Sequence, residues 1–255
     1  MTLERRAFGS GPSVSEIGVS LRGRDAEIAR EARRAGVDLF HLDDSDDLPW
    51  LADEIGPAPA TILVGSHGPA VGGPFRRGAP DAHLALHTYS SFTTQPGSLG
   101  PYQVLGGWEI GSEGAEGAPT RLDVARKVVA SRSSQALAVT YTPGEQSAGL
   151  DFMREAKRAG LGIVALGLPA ATEGHKFLAR PGRTAAQAFI QFVLANEYVS
   201  CALVRPESME ALREAVTAPD ATPLTLGELE RVIEMYIHRA DGGSCAGFQN
   251  PGSRI

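Results

Sequence analysis

The chain of 255 residues is short of cysteine, lysine, positive charge and long apolar runs. Its two cysteines, Cys201 and Cys245, cannot build the disulfide framework of a small secreted protein, so a cytoplasmic location is expected. A net charge of −6 offers no basic surface for nucleic acid. No apolar run approaches the roughly 20 residues of a membrane span, and residues 1–6 introduce no signal peptide, so no membrane partner is expected.

What the sequence does contain is an alternation of strand-length apolar runs and helical patterns. This alternation predicts βαβ units and a parallel sheet, and eight strands in a chain of this length favour an α/β fold of the (β/α)8 TIM-barrel type. No Gly-x-Gly-x-x-Gly follows the first strand, which disfavours an open dinucleotide-binding sheet. The predicted strands cover residues 15–21, 37–42, 61–64, 83–87, 107–110, 136–140, 162–166 and 199–204.

Two connections lack a helical pattern. Residues 68–82 and 88–106 are rich in Gly, Pro, Ser and Thr and occupy the places of the third and fourth barrel helices. We therefore expect those helices to be shortened or replaced by loops, which would expose barrel flank and favour oligomerisation. The whole chain, residues 1–255, is predicted to be one barrel domain with an irregular tail over residues 240–255.

Three of the six histidines stand where predicted neighbouring strands end: His41, His67 and His87. Side chains alternate along a strand, so His41 shares a face with Asp43, while Phe40 faces the other way. On this parity all three imidazoles point into the barrel at its C-terminal rim, where TIM-barrel active sites lie. The sequence therefore predicts a histidine cluster at the barrel mouth.

The cluster has three chemical interpretations. Three imidazoles with an open water position suit a catalytic zinc ion, and two histidines with Asp43 suit Fe(II). Such an ion, a divalent metal held by His41, His67, His87 and Asp43, would polarise a carbonyl group or generate hydroxide. Without a metal, His67, His87 and Asp43 could act as acid–base catalysts. The third interpretation is a vestigial set of histidines that is hydrogen-bonded to nearby aspartates.

Two segments of the first half, RAFGSGPSVSEIG at residues 6–18 and ARRAGVDLF at residues 32–40, resemble a known family of TIM barrels, the aldo-keto reductases. The first is similar to that family's opening hairpin and first strand, and the second to its first helix and second strand. The similarity spans nearly the whole chain. Residues 156–170 resemble the family's sixth helix and seventh strand, and residues 184–199 resemble its seventh helix most closely. The resemblance implies a TIM barrel and nicotinamide-dependent reduction by an Asp, Tyr, Lys and His set.

Most of that catalytic set is replaced in this chain. The family's Asp falls on His41, its Tyr near Asp46 and its Lys on His67, so that only the His is kept, as His87. No lysine precedes Lys127 and no tyrosine precedes Tyr89. The resemblance also implies an altered nicotinamide site. The family's Ser-Asn pair falls on Ser112 and Glu113, which puts a carboxylate in place of an amide. Other positions of that site fall on Leu166, Ala138 and Glu207, while Arg205 and Ser208 could still hold phosphate.

These observations predict a divergent, biosynthetic enzyme that acts on a small molecule without ordinary nicotinamide hydride transfer. Its active centre is expected to consist of His41, His67, His87 and Asp43. These residues would either hold zinc or iron as a cofactor or act as acid–base groups without a metal. Lyase, hydrolase, isomerase and metal-dependent oxidation chemistry all stay open. One alternative is an NADP-dependent reductase with an altered proton donor. Another is a catalytically silent barrel that serves as a binding or partner protein.

Overall fold

The computed structural model describes residues 3–11, 13–43, 47–56, 60–64, 86–87, 102–105, 107–110, 126, 129–130, 136–142, 145–146, 149–166, 168 and 173–240. The strands, β1 to β12 in order, are Arg5–Ala7, Ser13–Ser15, Ile17–Leu21, Leu39–Leu42, Ala60–Val64, Leu86–His87, Tyr102–Leu105, Gly107–Ile110, Ala136–Thr142, Glu145–Gln146, Gly162–Leu166 and Cys201–Val204. The α-helices, α1 to α6, are Ala26–Arg34, Leu48–Ile55, Leu150–Arg158, Ala185–Leu194, Met209–Val216 and Leu226–Ala240. Two short 3-10 helices span Glu173–Leu178 and Ala218–Asp220.

The large sheet is parallel over most of its width and curls into a barrel. Its parallel strands follow the order β8, β9, β11, β12, β3, β4, β5, β7. The two end strands, β7 and β8, are separated by one residue in the chain, so the same segment pairs with β5 and with β9. A curled, largely parallel sheet with helices packed against its outer face is the architecture of the predicted TIM-barrel class, which is confirmed.

The predicted fourth barrel strand, residues 83–87, is wrong in its direction and in one of its two expected neighbours, because its described part pairs with the predicted fifth strand but not with β5. The strand that pairs with β5 is β7, which lies within the segment 88–106 that was predicted to be a loop. The described part of the predicted strand is β6, which pairs antiparallel with β8 and places His87 opposite Gly107. A short apolar run favours extended backbone but does not encode which strand it pairs with. The predicted loop at 68–82 and the tail beyond Ala240 lie outside the described residues.

Strand alternation divides the apolar side chains into two clusters. Inside the barrel lie Leu39, Val164, Cys201 and Leu203, closed at the bottom by Phe8 of the β1–β2 hairpin region. The larger cluster lies between the strands and the helices, and from β4 it includes Phe40 and Leu42. The predicted parity of that strand is therefore confirmed.

Close packing inside the barrel requires a glycine in β3. A Cβ atom on Gly18 would lie 2.7 Å from Leu39 Cδ2 and 2.8 Å from Cys201 Sγ. Burial raises the pKa of the Cys201 thiol well above its ordinary value, and nearby Asp38 acts in the same direction. Cys201 is therefore an unreactive core residue, as the sequence indicates.

The last helix is joined to the barrel by a buried ionic network. Glu228, in the first turn of α6, accepts hydrogen bonds from Thr225 N at 2.8 Å and from Arg183 Nη2 at 2.6 Å. The Arg183 side chain is fully buried and also donates to the Leu178 carbonyl at 2.8 Å. This network holds α6 against the segment that leads into α4. None of the helices in the described ranges is long and apolar enough to span a membrane.

Candidate active site at the barrel mouth

Three polar side chains meet where β3, β4 and β12 end. Ser20 and His41 are the penultimate residues of β3 and β4, and they lie opposite each other in the parallel register. Arg205 follows the last residue of β12 directly. Each is two residues beyond an interior position, namely Gly18, Leu39 and Leu203. Alternation therefore directs all three toward the axis of the barrel at its C-terminal end.

The hydroxyl of Ser20 connects the three residues. Its Oγ lies 3.0 Å from His41 Nδ1 and accepts hydrogen bonds from both Nε and Nη2 of Arg205, each at 3.1 Å. Ser20 is buried, with 4% of its surface exposed, while His41 is half-buried. The Ser20 hydroxyl is thus shielded from solvent, whereas the His41 side chain is partly exposed to solvent at the barrel mouth.

Asp43 completes the cluster from the loop after β4. Its Oδ1 accepts a hydrogen bond from Arg205 Nη2 at 2.9 Å, so the guanidinium group bridges Ser20 and Asp43. The Arg205 and Asp43 side chains are 49% and 29% exposed. An ion pair this exposed contributes at most about 1 kcal/mol to stability. Its effect is to orient Arg205 rather than to hold the fold together.

The predicted histidine cluster is only partly within the described region. The structure brings His41 and Asp43 to one rim of the barrel, where His41 contacts Ser20 and Asp43 contacts Arg205. His67 lies outside the described residues. For His87 the backbone alone is described, opposite Gly107, the first residue of β8. The convergence of all three imidazoles on one mouth therefore stays a prediction.

The metal site stays a prediction as well. Within the described ranges no group of three His, Cys, Asp or Glu side chains is placed to hold an ion. The Asp43 carboxylate is engaged by Arg205, and the Nδ1 atom of His41 is engaged by Ser20. A metal at this rim would therefore need ligands from segments beyond those ranges, such as the one that carries His67.

A cleft of about 270 Å³ lies beside the cluster, between the end of β12 and helices α4 and α5. Arg205 lines both the cleft and the mouth, and two carboxylates, Glu207 and Glu214, also line the cleft. The Ser208 hydroxyl accepts a hydrogen bond from Ala211 N at 3.1 Å and so serves as the N-cap of α5. The two residues that the sequence suggested for phosphate binding therefore already have structural partners.

Sequence reasoning missed Ser20 entirely. A small polar residue near the end of a strand carries no chemical signature of its own, and its partner Arg205 is 185 residues away. The available signal was its parity with Gly18, which places it on the interior face. Combined with the prediction that β3 neighbours β4, that parity would have placed a hydroxyl beside His41.

The comparisons with known proteins agree with this architecture. No protein-family model and no curated protein matches the chain. Among solved structures, the holo form of aldo-keto reductase AKR11C1 from Bacillus halodurans superposes with a TM-score of 0.60 at 12% identity. The alignment covers 91% of this chain and 96% of that one. The fold is that of the aldo-keto reductases. The apo form of the same reductase gives a TM-score of 0.56 at 14% identity, with the same coverage of both chains.

The cluster of Ser20, His41, Asp43 and Arg205 lies where active sites are found in this fold. Active sites of TIM barrels lie at the C-terminal ends of the strands, and Ser20, His41 and Arg205 all occupy that end. The similarity predicted from the sequence is thus confirmed at the level of the fold. An imidazole held by a buried hydroxyl at this position has the means to transfer a proton or to donate a hydrogen bond.

Proposed function

We propose that this protein is an enzyme that transforms a small molecule at the barrel mouth, with His41 as its proton-transferring group. The observation that carries the proposal is the 3.0 Å hydrogen bond between Ser20 Oγ and His41 Nδ1 on the inner face of the rim. A ring held at one nitrogen keeps a fixed orientation, which general acid–base catalysis requires. Asp43 and Arg205 form the polar edge of the same mouth.

The residues of this chain favour proton transfer over nicotinamide-dependent reduction. In the aldo-keto reductase resemblance His41 replaces an Asp and His67 replaces a Lys, while no tyrosine precedes Tyr89. Glu207 and Glu214 line the cleft beside Arg205, where their negative charge would repel a phosphate group. Isomerase, lyase and hydrolase reactions all need positioned proton donors and acceptors, and these are the classes that the proposal covers.

Hydrogen–deuterium exchange provides an assay that works even when the substrate is unidentified. The purified protein is incubated in D2O with a panel of ketones, hydroxy ketones, lactones and esters, and with alkylamines as comparators, and NMR detects deuterium incorporation or turnover. For at least one carbonyl compound we expect a rate that falls about 10²- to 10⁴-fold in His41→Gln. His238→Gln, a change of another histidine of the chain on helix α6, is the matched control. Equal rates in wild type and His41→Gln would overturn the proposal.

Two measurements on the same preparation separate the alternatives. Elemental analysis tests the predicted zinc or iron, since a stoichiometric metal that is lost in His41→Gln would favour the metal centre. Titration of NADPH fluorescence tests the reductase alternative, because saturable enhancement would indicate a retained cofactor site. A protein with neither response and no exchange activity would be the silent barrel.

A further inference from the structure

The hydrogen-bonding capacity of Ser20 restricts the protonation of His41. A serine hydroxyl has one proton to donate and two lone pairs that accept. A guanidinium group carries only donors and keeps its protons in proteins. Arg205 directs two N–H groups, on Nε and Nη2, at the Ser20 oxygen, and both donor–acceptor distances are 3.1 Å. These two bonds use the accepting capacity of the hydroxyl.

The third neighbour of the Ser20 oxygen must therefore accept rather than donate. That neighbour is His41 Nδ1, at 3.0 Å. If Nδ1 carried a proton, three donors would point at one oxygen, and the buried hydroxyl proton would have no acceptor among the partners described for Ser20. The arrangement is consistent only if the hydroxyl donates to Nδ1. The ring proton of a neutral His41 is then on Nε2.

We infer that Arg205 acts through Ser20 to keep His41 in the Nε2–H tautomer, so that the imidazole offers an N–H donor to an oxygen atom of the substrate. The inference rests on the proposed function and names its substrate class, a small molecule with a carbonyl or carboxylate oxygen at the reacting end. A neutral imidazole that polarises a carbonyl oxygen is an established catalytic device in enzymes. His41 is the catalytic residue, whereas Ser20 and Arg205 are positioning residues.

Asp43 takes a different role in this arrangement from the one that the sequence suggested. Its Oδ1 accepts from Arg205 Nη2 at 2.9 Å, and the same Nη2 also donates to Ser20. Asp43 therefore fixes the angle at which the guanidinium group meets the hydroxyl. The same arrangement opposes a metal on Nε2, because that bond requires Nδ1 to carry the proton and Ser20 to accept it.

The tautomer can be read directly by NMR. Long-range 1H–15N correlation spectra of ring-labelled full-length protein distinguish a protonated ring nitrogen from an unprotonated one, and the His41 signals are assigned by their loss in His41→Gln. We expect one tautomer in the wild type, with protonated Nε2 and a hydrogen-bonded, unprotonated Nδ1. Ser20→Ala should move the Nδ1 signal to the position of a nitrogen without a hydrogen bond. Arg205→Gln should make the Nδ1–H form detectable, and Arg205→Lys should restore the wild-type pattern in part.

Arg24→Gln is the matched control. Arg24 forms a comparable exposed ion pair with Asp47, at 2.7 Å, and makes no described contact with Ser20. Its loss should leave the His41 signals unchanged, and thermal unfolding should show that each variant is folded. A protonated Nδ1 in the wild type, or an Arg205→Gln spectrum identical to that of the wild type, would overturn the inference.

The two proposals fail in distinguishable ways. A protonated Nδ1 together with His41-dependent deuterium exchange would end the inference and leave the proposed function standing. The expected tautomer together with exchange rates that ignore His41 would end the proposed function. Among the panel compounds, those that shift the Nε2–H signal should be oxygen acceptors, and a shift caused by the alkylamines alone would contradict the assigned substrate class.

Discussion

Replacing Glu228 by Gln should destabilise the protein more than any single exposed ion pair could. The carboxylate accepts from Thr225 N at 2.8 Å, Thr225 Oγ1 at 3.0 Å, Arg183 Nη2 at 2.6 Å and Arg180 Nε at 2.5 Å. Its side chain is 8% exposed. Glutamine keeps the shape of the side chain but removes the charge, which leaves the buried Arg183 guanidinium without its counter-charge.

The size of the effect follows from the pKa of Glu228. Burial raises this pKa, but the bonds from Thr225 N, Arg183, the Thr225 hydroxyl and Arg180 outweigh burial and lower it from 4.5 to about 2. At about 1.4 kcal/mol per pH unit, the ionised carboxylate contributes about 3 kcal/mol to the free energy of unfolding. Because the pKa is lower in the folded state, this contribution is complete above pH 4.5 and is lost as the pH falls toward 2.

Urea unfolding of wild type and Glu228→Gln at pH 7 and at pH 3 measures both magnitude and sign. We expect a difference of about 3 kcal/mol at pH 7 that shrinks at pH 3. Glu54→Gln is the control, since Glu54 pairs with the half-exposed Arg30 at 2.8 Å, and its loss should cost less than about 1 kcal/mol. A difference for Glu228→Gln that is below about 1 kcal/mol at pH 7, or that grows on acidification, would refute the reasoning.

Three further changes test the fold around the mouth. Gly18→Ala should destabilise the protein by about 1–3 kcal/mol in urea unfolding, because the new Cβ would meet Leu39 Cδ2 at 2.7 Å, and an unchanged midpoint would contradict the interior packing. Ser208→Ala should lower the free energy of unfolding by about 1 kcal/mol, because it removes the side chain that caps the N-terminus of α5. A loss of NADPH binding without a loss of stability in that variant would instead favour a phosphate ligand. Because burial raises the pKa of its thiol, Cys201 should resist thiol reagents in a Cys245→Ser background until the protein unfolds, and rapid labelling of the native protein would count against a buried thiol.

Local sequence patterns predicted the barrel well where one strand or helix determines the outcome. The apolar run at residues 162–166 coincides with β11, and Asp25, a residue type that favours helix N-caps, caps α1 through its side chain. The parity of β4 followed from alternation alone, because only one face of that strand could accommodate Phe40 and Leu42. In these cases the interactions that determine the structure lie between residues close in the chain, so local sequence patterns predict them.

Features that depend on partners distant in the chain could not be predicted from local sequence patterns. Residues 102–105 follow a segment rich in Gly, Pro, Ser and Thr and suggested a loop, yet pairing with β5 makes them a strand. Arg205 suggested a phosphate ligand, but Asp43, 162 residues earlier, engages its guanidinium group. His41 was found from its place at a strand end, whereas its hydrogen bond to Ser20 became evident only when the register of β3 and β4 was known.

The deuterium-exchange comparison of wild type with His41→Gln tests the central claim most directly. The account predicts exchange or turnover of a carbonyl compound by the wild type and a loss of about 10²- to 10⁴-fold in His41→Gln, with His238→Gln unaffected. Rates that are the same in all three proteins would contradict a catalytic role for the imidazole that Ser20 holds at the barrel mouth.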